Sequence, residues 1–395
     1  MKAVITADTH FDYANRLGDF SRSFTNIIQY AIDNKAQYFI IAGDLYRSWK
    51  ADPRERRVLY YGLSLLISSG IQAIIVLGNH DVYEYDNQGS YNSITGIGYF
   101  SIGGLKIVEM PGYSISVDDT YICFIPHLNK DIIVSRNYND IFKNVLELSR
   151  PPPTSNFKNK ILISHAFIDG SKLGSSDVSV TSERSLDLDM LKKSWPNMMF
   201  FGDIHKHQVL SENPLIVYPG SIDKITFGEM LDPKGFIWMD TDSDPKYKFV
   251  EIPTRRFIEI ILDINTKHLI VRGFNIDKDV DVDMSTENIS DLMDCFKVQI
   301  SDAIVKISII GKKQNLDLLS RDALVNRVRD MKPKVLKYFR FVSTDDVMAR
   351  DKSFVDDLDP GVALDKWVKF QKYTEDKKKL VYDAGLNMLS KQNET

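Results

Sequence analysis

The chain has 395 residues, of which 43% are apolar, so it is long enough for two or three domains with buried cores. Its formal net charge of −4 gives no general sign of nucleic-acid binding, and contacts with a phosphate backbone would need metal ions or local basic patches. Two distant cysteines, Cys123 and Cys295, argue against a disulfide framework or a thiolate metal site, and we expect both to be buried apolar residues.

The first part of the sequence alternates strands and helices. Strands are predicted at residues 2–6, 38–42 and 73–77, and helices at residues 24–32 and 54–69. Each strand is followed by side chains of metal-binding type: Asp8 and His10, then Asp44, then Asn79. In an open α/β sheet, sites form at the carboxyl ends of the strands. The order therefore predicts a site at one edge of a sheet.

Two later strands continue this pattern. Residues 160–164 lead to His165, and residues 198–201 lead to His205 and His207. The proline run at residues 151–153 is interpreted as a loop, because strands of the same sheet are expected to resume at residue 160. Side chains two residues apart on an extended chain face the same side. We therefore expect His205 and His207, and likewise Asp8 and His10, to point together, whereas His127 and His268 are interpreted as surface or loop residues.

The candidate ligands favour a centre with two metals. Oxygen donors mixed with imidazoles suit Mn, Fe or Zn better than Ca or Mg. About seven ligands are too many for one tetrahedral ion and suit two, with Asp44 as the bridge because it is the lone carboxylate of its motif. Two such ions can hold a bridging hydroxide and clamp a phosphoryl group, which predicts phosphoester hydrolysis. His80, next to Asn79, is expected to face the substrate and to donate a proton to the leaving group.

The motifs Asp8-x-His10, Gly43-Asp44, Gly78-Asn79-His80-Asp81, His165 and the GDIHKH stretch at 202–207 resemble the calcineurin-like metallophosphoesterases. The segment Tyr218-Pro219-Gly220-Ser221, with Lys224 and Phe227-Gly228-Glu229, resembles the SbcD family of DNA double-strand-break repair nucleases, which includes phage recombination nuclease subunits. The likeness is close over about residues 1–250 and holds only in order and size beyond them.

The resemblance implies a ligand set. One metal would take Asp8, His10, Asp44 and His207, and the second would take Asp44, Asn79, His165 and His205. Both would be Mn²⁺, with Mg²⁺ as a substitute, and His80 would be the catalytic histidine. Many archaeal and eukaryotic relatives place a histidine three residues after the bridging aspartate, where this chain has Arg47. A guanidinium there could instead hold a phosphate.

The resemblance also implies the fold class and the domains. The fold would be α/β, with a metallophosphoesterase sandwich at residues 1–254, a small capping, DNA-binding α/β domain at 255–345 and a helical ATPase-binding segment at 346–395. In the second domain we expect strands at 256–264, 303–310 and 335–342 and helices at 290–298 and 316–330. The acidic segment 277–283 is interpreted as an edge or a loop, with a cation site as a weaker alternative.

Three surfaces are expected to bind partners. Basic residues crowd the second motif and could contact DNA, or they could simply be the solvated start of a helix: Arg47, Lys50, Arg54 and Arg57. The helix at 54–69 is apolar around most of its circumference, which indicates a homodimer or, equally, a helix enclosed in its domain. Two C-terminal apolar stripes could bind an SbcC-type coiled-coil ABC ATPase or dock on their own domain: Leu364, Trp367 and Val368, and Leu380, Val381 and Ala384.

The resulting hypothesis is a Mn-dependent DNA nuclease subunit of an SbcC–SbcD-like, ATP-regulated complex for DNA repair, recombination and replication. It would act as an exonuclease on duplex ends and as an endonuclease on single-stranded or hairpin DNA, with polarity and balance left open. No apolar run of about 18 residues or secretory leader occurs, so we expect a soluble protein of the bacterial or phage-infected cytoplasm without a membrane span. The alternatives are a small-molecule metallophosphodiesterase or phosphatase and a non-catalytic scaffold for an ATPase.

Overall fold

A computed structural model describes residues 1–344 except 13–15, 87–88, 95–102, 129–136, 174–184, 274–275, 282–291 and 293, and it also describes residue 378. The chain divides into two compact units, one consisting of residues 1–258 with the short segments 273–275 and 302–304, and the other of the remaining residues. Among the described residues, no helix has the length and apolar character needed to cross a membrane.

The first unit contains two six-stranded sheets. The first sheet is built from β1 (Lys2–Thr6), β2 (Tyr38–Ala42), β3 (Gln72–Val76), β6 (Leu105–Val108), β13 (Gly235–Asp240) and β14 (Tyr247–Glu251), in the order β14-β13-β1-β2-β3-β6. The second is built from β7 (Tyr113–Val117), β8 (Thr120–Ile125), β9 (Asn159–His165), β10 (Met198–Gly202), β11 (Gln208–Glu212) and β12 (Leu215–Tyr218), in the order β11-β12-β10-β9-β8-β7. A separate hairpin joins β4 (Val82–Asp86) and β5 (Gly89–Asn92).

Helices cover the outer faces of both sheets. They are α1 (Leu17–Asp33), α2 (Pro53–Ser68), α3 (Tyr138–Leu148) and α4 (Leu188–Lys192). Phe24 of α1 and Leu63 of α2 pack in the core on the first sheet, and Phe142 of α3 packs in the core on the second. A third core fills the space between the sheets, where Ile5 of β1 meets residues such as Phe200 of β10. The first unit is thus an α/β sandwich with a helix-covered face on each side, as expected.

Two expectations about this unit need correction. Strands β9 and β10 belong to the second sheet and not to the sheet of β1, β2 and β3, but they do continue the sheet of β7 and β8, which precede the proline run. Helix α1 begins at Leu17, seven residues before the predicted start, because Leu17 and Phe20 extend its apolar face onto the core. Helix α2 begins where predicted: Asp52 and Glu55 form a reciprocal capping box and Pro53 occupies the first turn.

Helix α2 is only partly enclosed by its own unit. Leu59, Leu63 and Leu66 are buried, whereas Tyr60 is exposed and Tyr61 is 63% exposed. Much of the apolar circumference seen in the sequence is therefore covered within the fold, and the two tyrosines remain as the uncovered part.

A further sheet, formed by later residues of the chain, has five strands in the order β17-β16-β15-β18-β19. They are β15 (Phe257–Asp263), β16 (His268–Gly273), β17 (Ile276–Asp281), β18 (Ile304–Gly311) and β19 (Val335–Ser343), with helices α5 (Lys297–Ile300), α6 (Lys313–Leu316) and α7 (Arg321–Asp330). The sequence analysis missed β16 as a strand. The acidic segment is the edge strand β17, as one of its two interpretations required, and His268 of β16 bonds to Asp281 at 3.0 Å.

The sequence prediction is wrong at two further points. A single helix at 316–330 was expected, but two helices are present, α6 ending at Leu316 and α7 beginning at Arg321. The Oγ of Ser320 accepts a hydrogen bond from the amide of Ala323 and caps α7. Cys123 is buried as expected, but Cys295 is exposed. Of the helix expected at 290–298, residues 290, 291 and 293 lie outside the described residues, residues 295–296 form a turn, and α5 begins at Lys297. The C-terminal apolar stripes also lie outside the described residues: Leu364, Trp367, Val368, Leu380, Val381 and Ala384.

Candidate metal centre

Five strands of the first unit end at one cluster of polar side chains. β1, β2 and β3 are parallel neighbours in one sheet, and β9 and β10 are parallel neighbours in the other. Their carboxyl ends deliver the cluster: Asp8, His10, Asp44, Asn79, His165 and His205. The convergence predicted from the sequence is therefore present, although it joins the edges of two sheets and not one.

The cluster contains two overlapping triplets whose ligand atoms lie within 4.8 Å of one another. One triplet is Asp8, His10 and His205, and the other is Asp8, Asp44 and His165. The Nε2 atoms of His10 and His205 are 3.0 Å apart. His205 thus lies beside His10, whereas the family resemblance groups it with His165.

Asp44 lies between the imidazoles. Its Oδ2 is 3.5 Å from Nε2 of His10 and its Oδ1 is 3.4 Å from Nε2 of His165. Asn79 faces the same side, with its Oδ1 2.9 Å from Nε2 of His165. This central position is the one that a bridging carboxylate would need.

His207 is in neither triplet. Its Nδ1 lies 2.8 Å from the carbonyl oxygen of Tyr218, and its ring stacks on Phe249 with centroids 3.9 Å apart. A histidine whose Nδ1–H donates to a carbonyl keeps the lone pair on Nε2, which is the arrangement found in metal ligands. His165 has the same arrangement, with its Nδ1 2.8 Å from the carbonyl oxygen of Ala42.

Most of the candidate ligands lie just beyond the ends of strands, and His165, the last residue of β9, is the exception. β1 ends at Thr6 and β10 ends at Gly202, and the residues that follow have positive φ: 50° at Asp8, 39° at His10 and 102° at Asp203. The alternation rule used for Asp8 and His10, and for His205 and His207, therefore does not apply. Non-glycine residues rarely adopt such angles, and their concentration here is typical of functional sites.

Three glycines of the sequence motifs make room for the ligands. A Cβ on Gly202 would lie 1.9 Å from the carbonyl oxygen of Ala42, and one on Gly43 would lie 2.1 Å from Nδ1 of His165. A Cβ on Gly78 would lie 2.2 Å from Oδ1 of Asp44. Only glycine fits at these points without displacing a ligand, which explains the glycine that precedes Asp44, Asn79 and Asp203.

Burial sets the charge balance of the cluster. It raises the pKa of Asp8 and of Asp44, because a buried carboxylate loses its hydration. Burial also lowers the pKa of His10, and the neighbouring imidazoles add to this effect. For His165 burial acts in the same direction, but Asp44, Asp203 and Asp8 outweigh it and raise the pKa to about 9. Buried carboxylates facing imidazole nitrogens are a donor set that suits a divalent transition-metal ion.

His80 stands at the rim of the cluster. Its side chain is 46% exposed, its Nε2 lies 3.9 Å from Oδ2 of Asp44, and its Nδ1 lies 3.0 Å from the carbonyl oxygen of Arg47. The amide of His80 donates to Oδ1 of Asp44 at 3.0 Å. The backbone of Arg47 therefore orients the ring, and Nε2 is directed toward the cluster from the solvent side.

Asp81 supports the site in a way that the sequence analysis did not anticipate. It is fully buried, and its carboxylate accepts hydrogen bonds of 2.9 Å from the amides of Asp44, Leu45 and Gly78. These bonds tie the loop after β2 to the loop after β3. The only available signal was its place at the end of the motif that contains Asn79 and His80.

The structure also changes the interpretation of His127. It follows β8 as the ligands follow their strands, its amide donates to the carbonyl oxygen of Leu77, and its ring lies edge-on to His165 at 6.4 Å between centroids. His127 is thus part of the wall of the site and not an isolated loop residue. Its position after the apolar run at residues 121–125 could have indicated this.

The basic residues expected to bind DNA differ in their surroundings. The Arg47 side chain is 65% exposed and donates to Oδ2 of Asp12 at 2.9 Å. Arg54 donates to both carboxylate oxygens of Asp52 at 2.8 Å. Lys50 lies over the ring of Trp49, and Arg57 is exposed on α2.

The chain is similar in sequence to known phosphoesterases and nucleases. Residues 1–207 match the family described as calcineurin-like phosphoesterase. The chain is 23% identical over 287 residues to "DNA double-strand break repair protein Mre11" of Archaeoglobus fulgidus, covering 67% of this chain and 62% of that protein. It is 26% identical over 279 residues to the SbcD component of the nuclease SbcCD of Staphylococcus epidermidis, covering 66% and 72%.

The chain therefore spans about three fifths of the archaeal protein's length. Among solved structures, a dimetal phosphatase from Danio rerio aligns with 72% of this chain and 99% of its own, at 10% identity and a TM-score of 0.39.

Proposed function

Because the chain belongs to the calcineurin-like phosphoesterases, we propose that it is a Mn-dependent DNA nuclease subunit of an SbcC–SbcD-like, ATP-regulated repair and recombination complex. The observation that carries this proposal is the pair of overlapping donor triplets that share Asp8, one of which also contains Asp44. DNA as the substrate is supported by the nuclease names of the relatives. The setting would be the bacterial or phage-infected cytoplasm.

The residues present fit two metal ions. We propose the grouping that the family resemblance implies, with Asp8, His10, Asp44 and His207 for one ion and Asp44, Asn79, His165 and His205 for the other. The donor triplets support this grouping for Asp8 with His10 and for Asp44 with His165, whereas they place His205 beside His10. When bound, two such ions would activate the attacking water and neutralise the phosphoryl oxygens. The contacts of Nδ1 with a carbonyl oxygen at His165 and at His207 support this assignment, because each leaves the lone pair on Nε2 for a metal.

His80 is proposed to act on the leaving group. Its Nδ1 is occupied by the carbonyl of Arg47, so Nε2 is the atom that faces the substrate side. In its protonated form, His80 would donate the Nε2 proton to the departing DNA oxygen. The neutral imidazole would then take up a proton from solvent, to which its side chain is exposed. The hydrogen bond from its amide to Asp44 keeps it at a fixed distance from the metal ligands.

Several surfaces would bring DNA and partners to the site. Exposed Arg57 and Lys50 would contact phosphates, and Arg47 would do so with the guanidinium nitrogens that do not bind Asp12. We further propose residues 1–254 as the nuclease domain, 255–345 as a DNA-binding cap and 346–395 as the segment that binds a coiled-coil ATPase. The exposed Tyr60 and Tyr61 of α2 support a homodimer, which a monomeric mass in solution at micromolar concentration would contradict.

The substrate assignment is tested with a nuclease assay. The full chain is incubated with linear duplex DNA, hairpin DNA and the small diester bis(p-nitrophenyl) phosphate, each with Mn²⁺, with Mg²⁺ or with EDTA. We expect metal-dependent cleavage of both DNAs at rates far above that of the diester. Cleavage of the diester alone would instead support a small-molecule phosphodiesterase.

The partner assignment is tested by deletion of residues 350–395. The truncated protein should remain folded and active with Mn²⁺ but no longer co-purify with an SbcC-type ATPase or respond to ATP. Retained binding of the ATPase would contradict the assignment, and so would loss of the fold.

A further inference from the structure

We propose that Glu229 and Lys234 form a buried ion pair that positions His205 for metal binding. This inference deepens the proposed function and rests on it. Neither residue is among the expected metal ligands, and the sequence assigns neither a role in the site. Glu229 ends a short 3₁₀ turn (Phe227–Glu229), and Lys234 immediately precedes β13.

Lys234 is held by three acceptors. Its side chain is 1% exposed, and its Nζ donates to the carbonyl oxygen of His205 at 2.8 Å, to Oγ of Ser221 at 2.8 Å and to Oε2 of Glu229 at 2.7 Å. An ammonium group has three N–H donors, so each one is used. One of the three fixes the backbone of a candidate ligand directly.

Glu229 is equally well satisfied. Oε1 lies 3.3 Å from Nδ1 of His205 and accepts from Oγ1 of Thr226 at 3.3 Å, and Oε2 also accepts from the amide of Ile225 at 3.2 Å. Burial opposes the charged form, but the bonds to His205 and Lys234 outweigh it and hold the pKa of Glu229 well below its usual range. With the ammonium of Lys234 2.7 Å from Oε2, the carboxylate faces the imidazole of His205 as one half of an ion pair.

The consequence for His205 is a fixed tautomer and ring orientation. Nδ1–H donates to the carboxylate, so the lone pair lies on Nε2, which points at the cluster 3.0 Å from Nε2 of His10. A carboxylate behind a histidine orients the ring and makes it a better metal ligand. His205 is thus held at its ring by Glu229 and at its carbonyl by Lys234, which are themselves bonded to each other.

The loop that carries Ser221 completes the support. The amide of Ser221 donates to the carbonyl oxygen of His205 at 3.0 Å. Gly220 has φ of 81°, and a Cβ there would lie 2.7 Å from the amide nitrogen of His207 and 2.8 Å from the carbonyl oxygen of His205. The close contact between the two loops therefore depends on this glycine.

A role in stability alone does not explain the pair. Burying two charges costs hydration free energy, and an apolar pair of similar volume often stabilises a fold as well or better. The chain offers a comparison in Asp19 and Arg255, another buried pair, with bonds of 2.7 and 2.8 Å. The other ion pairs of Asp19 and Arg255 run to Arg16, Arg22 and Asp302 and not to a candidate ligand.

The test measures Mn²⁺ affinity by titration calorimetry on the EDTA-stripped full chain. Glu229→Ala is expected to weaken the affinity about 10- to 100-fold. Glu229→Gln keeps an acceptor for Nδ1 and should recover part of that loss. Because Glu229→Ala leaves Lys234 buried without its partner, the double variant Glu229→Met with Lys234→Met removes both charges, should fold, and should still bind Mn²⁺ weakly.

Asp19→Asn is the matched control, expected to lower the melting temperature while leaving Mn²⁺ affinity unchanged. Wild-type affinity in the folded double variant would overturn the inference, and so would an equal loss of affinity in Asp19→Asn. A wild-type chain that binds Mn²⁺ but cleaves no DNA would overturn the proposed function while leaving the positioning role intact. A wild-type chain that binds no Mn²⁺ would overturn both.

Discussion

His165 and His205 face the same cluster but are held in different ways. His165 is the last residue of β9, is fully buried, and is fixed by the carbonyl of Ala42 and by the glycines packed against its ring. His205 lies on a bend after β10, has a side chain that is 31% exposed, and is oriented by Glu229. The side of the cluster around His165 is therefore held by the backbone, and we call it the backbone-built half; the side around His205 is held by a side-chain ion pair, and we call it the side-chain half. These halves are sides of the cluster and not the two proposed metal sites, since both histidines are assigned to the same ion.

This difference bears on how the two halves respond to change. A backbone-built position depends on the fold itself, so a substitution that disturbs it should also reduce stability. A side chain held by other side chains can lose its orientation while the fold persists. The two halves should therefore be separable by experiment.

Gly202→Ala should have the largest effect on stability, because it disturbs the backbone that holds His165. The new Cβ would lie 1.9 Å from a backbone oxygen and 2.6 Å from the His165 ring, and neither can move away without shifting a strand. We expect a loss of unfolding free energy at or above the roughly 1–3 kcal/mol typical of overpacked cores. Denaturant unfolding of the metal-free chain measures it.

Gly18→Ala is the matched control for this substitution. Gly18 is in α1, is exposed, and has no atom within 4 Å of an added Cβ. Alanine should raise stability slightly, by about 0.5–1 kcal/mol, because glycine is unfavourable in a helix. If Gly202→Ala were as stable as Gly18→Ala, the backbone account of His165 would be wrong.

Asp44→Ala should have the next largest effect, because Asp44 lies between the two halves. Its carboxylate is within 3.5 Å of Nε2 of both His10 and His165. Each metal contributes several kcal/mol of transition-state stabilisation, so disturbing both should reduce DNA cleavage roughly 10⁴-fold. Metal analysis after gel filtration should show a loss from both sites. Retained cleavage would contradict the two-metal hypothesis.

The sequence was most informative where the backbone builds the site. The convergence of Asp8, Asp44 and His165 could be predicted because each follows an apolar strand, and the strands in each sheet run parallel. Local geometry could not be predicted, because Asp8, His10 and Asp44 have positive φ and lie just beyond the strand ends. The alternation rule thus paired Asp8 with His10, which the structure brings into one triplet, but on a backbone geometry that it did not predict. It also paired His205 with His207, and His207 is in neither triplet.

The side-chain half was hidden for a different reason. Glu229 and Lys234 lie 24 and 29 residues beyond His205. Glu229 stands out in the sequence only as the last residue of the Phe227-Gly228-Glu229 segment, and neither residue belongs to a periodic pattern that would place it at the site. Their role appears only when the chain folds back onto the bend after β10. In the second unit, the alternating acidic residues of β17 indicated an edge, whereas β16 was not predicted from the sequence.

His80→Ala should reduce cleavage about 10²–10⁴-fold while both metals remain bound, because His80 belongs to neither half of the ligand set. The Nε2 of His80 is 3.9 Å from the Asp44 carboxylate, farther than the Nε2 of His10 or of His165, and its ring is held by the carbonyl of Arg47. Single-turnover cleavage and metal content are measured on the same preparation. Loss of metal from the variant would show that His80 is a ligand.

Substitutions of the basic residues on α2 should have the smallest effect, and it should appear in DNA binding. These residues again differ in whether another side chain holds them or leaves them exposed. Arg54 is bound through two nitrogens to Asp52, which also caps the helix, so much of its charge is already neutralised. Among the residues that the structure describes, no ion pair involves the exposed Arg57.

Each phosphate contact made by a cation releases about one counterion, and losing it lowers the dependence of binding on salt. Arg57→Ala should therefore reduce the slope of log affinity against log salt by about 1, and Arg54→Ala by less. DNA binding is measured by fluorescence anisotropy of a labelled duplex from about 50 to 200 mM NaCl, in Ca²⁺ to prevent cleavage.

Asp52→Ala should, in turn, increase the contribution of Arg54 to DNA binding at some loss of helix stability. An unchanged slope in Arg57→Ala would mean that α2 is not a DNA-contacting surface, and that its basic residues are only the solvated start of a helix.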